Sequence, residues 1–194
     1  MVKPVNDDEL VESFLKGNEH AFEGLVDKYH RKIFKTVYGI IGHYHDAIDL
    51  TQDVFFQVYR SIPNYQPKGQ FQSWVFKIAL NRSRNYISKK KILTFLSLDF
   101  VSKTRQSALI DKTDRGDIEG YSERNEKVEL LYEALNILDY NSKEILILKE
   151  IDMLEYKQIA EILGIEIGTV KSRISRAKEK LKKQLIKRGI SKWM

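Results

Sequence analysis

The chain is predicted to be all-α, with two small helical modules joined by a flexible linker. Three observations carry this prediction. Apolar residues recur at helical spacing through nearly every patterned stretch, strand-like alternation is weak throughout, and Gly, Asn and Asp stand where helices of that spacing should start and stop. At 194 residues the chain exceeds a typical domain of about 150 residues, which allows one large or two small domains.

The elements follow in order. Asn6 or Asp7 caps a short helix that Gly17 ends. Asn18 caps a longer one whose Ala21, Phe22, Leu25, Val26, Tyr29, Ile33, Phe34, Val37 and Tyr38 form a wide apolar face, closed by Gly42. A third helix is expected from about Asp46 to Ile62, with Ala47, Val54, Phe55, Val58 and Ile62 inward. The Pro63 to Gly69 loop interrupts, and a fourth helix runs from about Phe71 to Lys90, with Phe76, Ala79, Leu80, Tyr86 and Ile87 inward. These four make the first module, residues 1–91. Over residues 92–121 the periodicity fades and, apart from the apolar patch from Ile92 to Leu98, Ser, Thr, Lys and Asp alternate, the composition of a linker. The second module, 122–194, opens with helices near Glu123 to Leu138 and Ser142 to Ile151.

It ends in the most informative segment of the chain. Gln158 to Leu163 place Ile159, Ala160, Ile162 and Leu163 inward, Gly164 stops that helix, and Gly168-Thr169 restart one with Thr169 as its expected cap. In the last helix Val170, Ile174, Ala177, Leu181 and Leu185 form one apolar stripe, and Lys171, Ser172, Ser175 and Arg176 face the other way. Two short helices around a glycine turn, the second basic, make a helix-turn-helix pattern. Small hydroxyls between long cations suit a major groove: cations reach phosphates or guanine edges, and hydroxyls permit close approach.

Charge supports a polyanionic partner. The net charge is +6, and its distribution is uneven: ten Lys or Arg against Glu179 from Lys171 to Met194, but five acids against Lys3 and Lys16 in the first twenty residues. No cysteine means no disulfide frame and no cysteine zinc site. No apolar run approaches membrane-spanning length and the acidic start is unlike a secretory signal, so a cytoplasmic protein without membrane insertion is expected. The acids are scattered over helix faces, without a phosphate-binding glycine loop or a nucleophile beside a base, so neither enzymatic activity nor a cofactor is expected. His43, His45 and Asp46 sit at a helix start and diverge, which argues against a metal site.

Two further surfaces stand out. The fourth helix presents Trp74, Lys77, Ile78, Asn81, Arg82, Asn85 and Lys89 opposite its core face, and between Trp74 and Lys91 there are six basic residues and no acid. Aromatic, amide and cationic groups together are what single-stranded DNA requires. From this helix alone, a Trp74 packed under the preceding loop is an equal alternative. The third helix carries Asp46, Asp49, Leu50, Asp53 and Phe56 on or beside its outer face, a mixture that suits a basic protein rather than DNA.

In this order the three surfaces resemble the extracytoplasmic-function class of bacterial sigma factors, within the sigma-70 family. Asp46-Ala-Ile-Asp-Leu-Thr-Gln-Asp-Val-Phe-Phe56 looks like the family's core-binding helix, Phe71-Gln-Ser-Trp-Val-Phe-Lys-Ile-Ala-Leu-Asn81 like its minus-ten segment, and Ile167-Gly-Thr-Val-Lys-Ser-Arg-Ile-Ser-Arg-Ala177 like its minus-thirty-five helix. The resemblance implies core RNA polymerase as partner, through the beta-prime clamp helices and the beta flap, together with promoter DNA and an anti-sigma factor. It assigns Asp46, Asp49, Leu50, Gln52, Asp53 and Phe56 to core binding. It assigns Asn64, Tyr65, Lys68, Trp74, Lys77, Asn81, Arg82, Asn85 and Lys89 to the minus-ten element, with the Asn64 to Gln70 loop capturing a flipped base. Thr169, Lys171, Ser172, Arg173, Ser175, Arg176 and Lys178 fall to the minus-thirty-five element. Many relatives have Asp where Asn85 stands, and some have an aromatic where Ser175 stands. The alternatives are a free-standing helix-turn-helix regulator, which predicts operator binding by the pure protein, and a helical adaptor, which predicts no sequence-specific DNA effect. Only a promoter-recognition subunit accounts for all three surfaces.

Overall fold

A computed structural model describes residues 6–66, 70–100 and 132–187, with backbone alone for 94–100. All regular structure among the described residues is helical. The order is α1 (Asp7–Leu15), α2 (Glu19–Ile41), α3 (Tyr44–Ser61), a 3-10 turn (Ile62–Asn64), α4 (Phe71–Phe100), α5 (Tyr140–Leu146) running into a π-helical turn (Ile147–Ile151), α6 (Tyr156–Leu163) and α7 (Ile167–Lys187). Residues 132–135 are also helical. Among the described residues no helix is long and apolar enough to cross a membrane.

Most boundaries have local chemical causes. The Asn6 side chain accepts from the Asp8 N–H, and Asp7, Asp8 and Glu9 set negative charge against the positive end of the α1 dipole. Asp7 also accepts from the Tyr29 hydroxyl and the Lys28 ammonium, both at 2.6 Å, which fixes α1 to α2. Gly42, at φ 73°, takes the left-handed conformation that ends α2 and returns its N–H to the Tyr38 carbonyl. The Asp139 side chain caps α5 by accepting from the Ser142 N–H at 3.1 Å.

Three boundaries differ from the sequence expectation. Helix α4 continues past Lys90 to Phe100, through residues that include no Gly or Pro to stop it. The region between residues 142 and 151 divides into α5 and a π-helical turn, an irregularity that hydrophobic spacing does not encode. Thr169 lies inside α7 and does not cap it: the helix begins at Ile167, and the Val170 N–H already bonds the Glu166 carbonyl. The linker expected from residue 92 therefore begins within α4, and its residues 101–121, like the first part of the helix expected from Glu123, lie outside the described residues.

Packing joins the modules. Helix α2 packs against α1, α3 and α4; α5 and α6 pack against α7. The two cores meet where α2 touches α5 and the π-helical turn and where α4 touches α6, so that Val37, Ile40, Leu80, Leu146 and Ile147 belong to one continuous cluster of buried side chains. The seam is close enough that a Cβ built on Gly39 would lie 2.9 Å from Ile147 Cδ1 and 3.1 Å from Tyr132 Cε1.

Candidate nucleic-acid interface

On α4 the expected polar stripe exists and is only partly free. Lys77, Asn81, Asn85 and Lys89 are exposed along one side of the helix. Arg82 is half-buried and donates to Gln57 Oε1 at 2.9 Å, and Gln57 donates on to Ser61 Oγ at 2.6 Å, which ties α4 to α3. Trp74 is half-buried in an aromatic group with Tyr65 and Phe71, its ring centroid 4.9 Å from Tyr65 and 5.7 Å from Phe71. The alternative of packing under the preceding loop therefore holds for much of this ring, because Phe71 and Tyr65 offer it apolar surface that water does not. Asn64 is exposed at the loop's start, and Lys68 lies outside the described residues.

The outer face of α3 is smaller than expected. Asp49, Gln52, Asp53 and Phe56 are exposed and fall at three- and four-residue steps, so they share one side. Phe56 is 61% exposed, with the Arg60 guanidinium 5.6 Å from its ring centre. Leu50 does not belong there: it is only 8% exposed. It stands three residues after Ala47 and four before Val54, which rotates it onto the core stripe. Asp46 is also committed elsewhere. It accepts from the Tyr86 hydroxyl, pairs with Lys90 at 3.5 Å and meets His43 Nδ1 at 3.1 Å. Burial works to raise its pKa, but the Tyr86 hydrogen bond and the nearby His43 and Lys90 outweigh it and hold the carboxyl below its ordinary value. Asp46 thus joins α3 to α4.

The helix-turn-helix is built as its sequence suggests. The Glu155 N–H donates to Gln158 Oε1 at 2.9 Å at the start of α6, and Gly164, at φ 64°, turns the chain so that its N–H and that of Ile165 both reach the Ala160 carbonyl. Val170, Ile174 and Ala177 are buried and Leu181 half-buried, the expected stripe of α7. Lys171, Arg173, Ser175 and Arg176 are exposed. Ser172 is half-buried and returns its hydroxyl to the Thr169 carbonyl at 3.1 Å. Lys178 is exposed but pairs with Glu150 at 2.9 Å, and Lys180 pairs with Asp139 at 2.7 Å. These pairs brace the flanks of α7 against α5 and its π-helical extension, leaving Lys171, Ser175 and Arg176 on the outward side.

Sequence reasoning missed two residues of consequence. Arg84 reaches across from α4 to Glu144 on α5, at 3.0 Å, and Glu144 also accepts from Tyr140 Oη at 3.2 Å. Glu144 is 4% exposed; burial pushes its carboxyl above the ordinary range, while Arg84, Tyr140 and Arg173 pull the other way. The one available signal was an acid in an otherwise apolar helix turn.

Comparison with known proteins accords with this geometry. Residues 25–92 match the sigma-70 region 2 family model and residues 129–181 the sigma-70 region 4 model. The chain is similar to the ECF RNA polymerase sigma factor SigW of Bacillus subtilis, at 32% identity over 88% of this chain and 91% of that protein. It is similar also to the ECF RNA polymerase sigma-E factor of Haemophilus influenzae, at 30% identity over 95% of this chain and 98% of that protein. A solved structure of CnrH in complex with the cytosolic domain of CnrY shares the fold, with a TM-score of 0.68 at 23% identity, covering 93% of this chain and 97% of that one. The chain belongs to the extracytoplasmic-function sigma factors of the sigma-70 family.

Proposed function

We propose that this sigma factor engages core RNA polymerase and both elements of its promoter through three faces. The exposed side of α3, with Asp49, Gln52, Asp53 and Phe56, docks on a basic helical surface of the clamp. The side of α4 bearing Lys77, Asn81, Asn85 and Lys89, with the Tyr65–Phe71–Trp74 group and the loop above it, captures the unpaired minus-ten strand. Lys171, Ser172, Arg173, Ser175 and Arg176 of α7 read the minus-thirty-five duplex. Residues 1–91 and 122–194 act as the polymerase-binding and helix-turn-helix modules, joined by the segment between. The protein works through the polymerase rather than by chemistry of its own, in the cytoplasm, and an anti-sigma factor restrains it.

The observation that carries this reading is the presence, on one chain, of a face suited to single strands and a separate face suited to duplex. A free-standing operator-binding regulator requires only the second. A duplex does not present its base faces, so selecting on them means holding an unstacked base, at a cost of about a few kcal/mol offset by stacking and edge hydrogen bonds. The test is transcription by purified core polymerase on a fragmented genome, with and without the protein, followed by sequencing of the 5′ ends. Start sites that appear only with the protein and share two upstream motifs are expected. Binding to DNA without core, and no new start sites with it, would instead support a free-standing regulator.

A further inference from the structure

One basic surface of the first module lies outside the three faces described above. On α2, Lys28, Arg31, Lys32 and Lys35 recur at three- and four-residue steps and so form one stripe along the helix. From Lys28 to Ile41 the helix carries these four cations and no acid. Lys28, Arg31 and Lys32 are exposed, and Lys35 is half-buried. A charge run on a helix is ordinarily a solvated face, but this one stands against the aromatic group of the candidate minus-ten site.

The contact is made through Tyr29. Lys28 Nζ and Lys32 Nζ each stand 5.6 Å from the centre of its ring. Tyr29 is 1% exposed, and its ring lies 5.7 Å from Phe71, which in turn lies 5.5 Å from Tyr65 and 5.7 Å from Trp74. Two rings, Tyr29 and Phe71, thus lie between the lysines and Trp74. A cation over an aromatic face is attracted by the ring, and its aliphatic stem lies on apolar surface, so these ammonium groups are placed rather than free to swing.

Nearby acids claim only part of the charge. Lys28 pairs with Asp7 at 2.6 Å and braces α1, which commits much of its charge. Lys32 and Lys35 both attract Asp152, just after the π-helical turn. That carboxyl already accepts from Thr36 at 2.8 Å, and burial pushes it up to about 7, so near neutrality it carries only part of a negative charge. The stripe as a whole stays cationic.

A strand that gives up one base to a pocket gains most when its phosphates are held on both sides of that base, because a loosely held backbone offsets the stacking with ordering cost. Lys77 stands one helical turn beyond Trp74 on α4. The α2 lysines stand at the opposite end of the series of rings. Cations in a row with aromatic rings between them are the pattern that single strands fit.

We propose that Lys32 and Lys35 of α2 form a second phosphate-binding track for the unpaired strand, holding its backbone where it leaves the captured base. This rests on the minus-ten reading above, and the test keeps the two apart. Lys32→Gln/Lys35→Gln removes both charges and keeps polar side chains, and Lys32→Arg/Lys35→Arg keeps the charges. Holoenzyme made with each is titrated with two fluorescent single strands of about 12 nucleotides. One is the nontemplate strand around minus ten of a promoter mapped with wild type; the other is oligothymidine. Binding by core alone is subtracted, and salt is varied between about 50 and 200 mM.

Each lost phosphate contact lowers the slope of log affinity against log salt by about 0.7 for a single strand. The Gln pair should therefore lose about 1.4 in slope on both strands and bind about tenfold more weakly near 0.2 M salt, while the Arg pair matches wild type. Because Lys35 is half-buried, Lys32→Gln alone is measured as well and should lose about 0.7. An unchanged slope, with wild type still preferring the minus-ten strand, would overturn the track, keep the promoter reading and leave the stripe to a protein partner. Weaker binding shared by the Arg pair at unchanged slope would mark a packing role and overturn the track too. A reduced slope in a holoenzyme that does not distinguish the two strands would support the track and reject the minus-ten reading.

Discussion

Helices α4 and α7 are both cationic, yet they hold their charges in different ways. On α4, Arg82 is tied to Gln57, Arg84 to Glu144 and Lys90 to Asp46, so much of its charge also fixes neighbouring helices. On α7, ion pairs occupy Lys178 and Lys180 at the flanks, and Lys171, Ser175 and Arg176 stay exposed. The difference follows from burial. Helix α4 is packed by α2, α3 and α6, whereas α7 rests on α5 and α6 with one side to solvent. A helix that unpairs DNA must hold its aromatic and amide groups firmly, because any freedom left in them is lost on capture. A helix that enters a groove needs long side chains able to adjust.

Stability and binding should therefore be coupled on α4 and separable on α7. The largest effect expected is that of Phe71→Ala. This ring is 1% exposed and packs against Tyr29, Tyr65 and Trp74, so its loss should lower stability by about 3–5 kcal/mol in urea unfolding. A loss below about 1 kcal/mol would mean that the aromatic group does not organise this end of α4. Arg176→Ala should be the converse. It should weaken holoenzyme binding at the minus-thirty-five element by about 1–3 kcal/mol if Arg176 contacts a base, with unfolding unchanged. Footprinting at several salt concentrations checks it, and a uniform loss across sequences would point to a phosphate contact instead.

A third variant tests the acidic face. Asp53→Lys places a cation where a basic partner is expected and should reduce core affinity about tenfold, or 1.4 kcal/mol, with helicity and melting unaltered. Normal co-purification with core would remove this side of α3 from the interface.

The smallest effect concerns pH. Burial pushes the Asp152 carboxyl up to about 7, against the Thr36 hydrogen bond and the attraction of Lys35 and Lys32. Between its ordinary value of 3.8 and about 7, the folded chain binds more protons than the unfolded chain. Folding is therefore favoured at the acid end of that window and loses this contribution as pH rises through it. Asp152→Asn should flatten the dependence of melting temperature on pH between 5 and 8, and an unchanged slope would assign it to other groups.

Much of this arrangement was legible in the sequence, unevenly. The helix-turn-helix could be read almost residue by residue, since a single apolar stripe and a glycine turn are local signals. Thr169 was misplaced because the backbone of Glu166 already opens α7 one turn earlier. On α3, spacing alone separates Leu50 from Asp49, and the acids around it made the leucine look like part of an exposed patch. Asp46, Arg82 and Arg84 were harder still: their partners Tyr86, Gln57 and Glu144 lie 25 to 60 positions away, and no local pattern announces such pairs. The seam, too, depends on Gly39 meeting Ile147, a contact between distant segments.

The most direct test of the central claim, that α4 opens the promoter by holding an unpaired strand, compares Asn81→Ala with wild type on two templates. On duplex promoter DNA the variant should bind core and form closed complexes normally but show fewer permanganate-reactive thymines around minus ten. On a template already mismatched there, transcription should recover in part, because the unpairing cost has been met. Equal loss on both templates would contradict the claim and leave this face of α4 a structural role only.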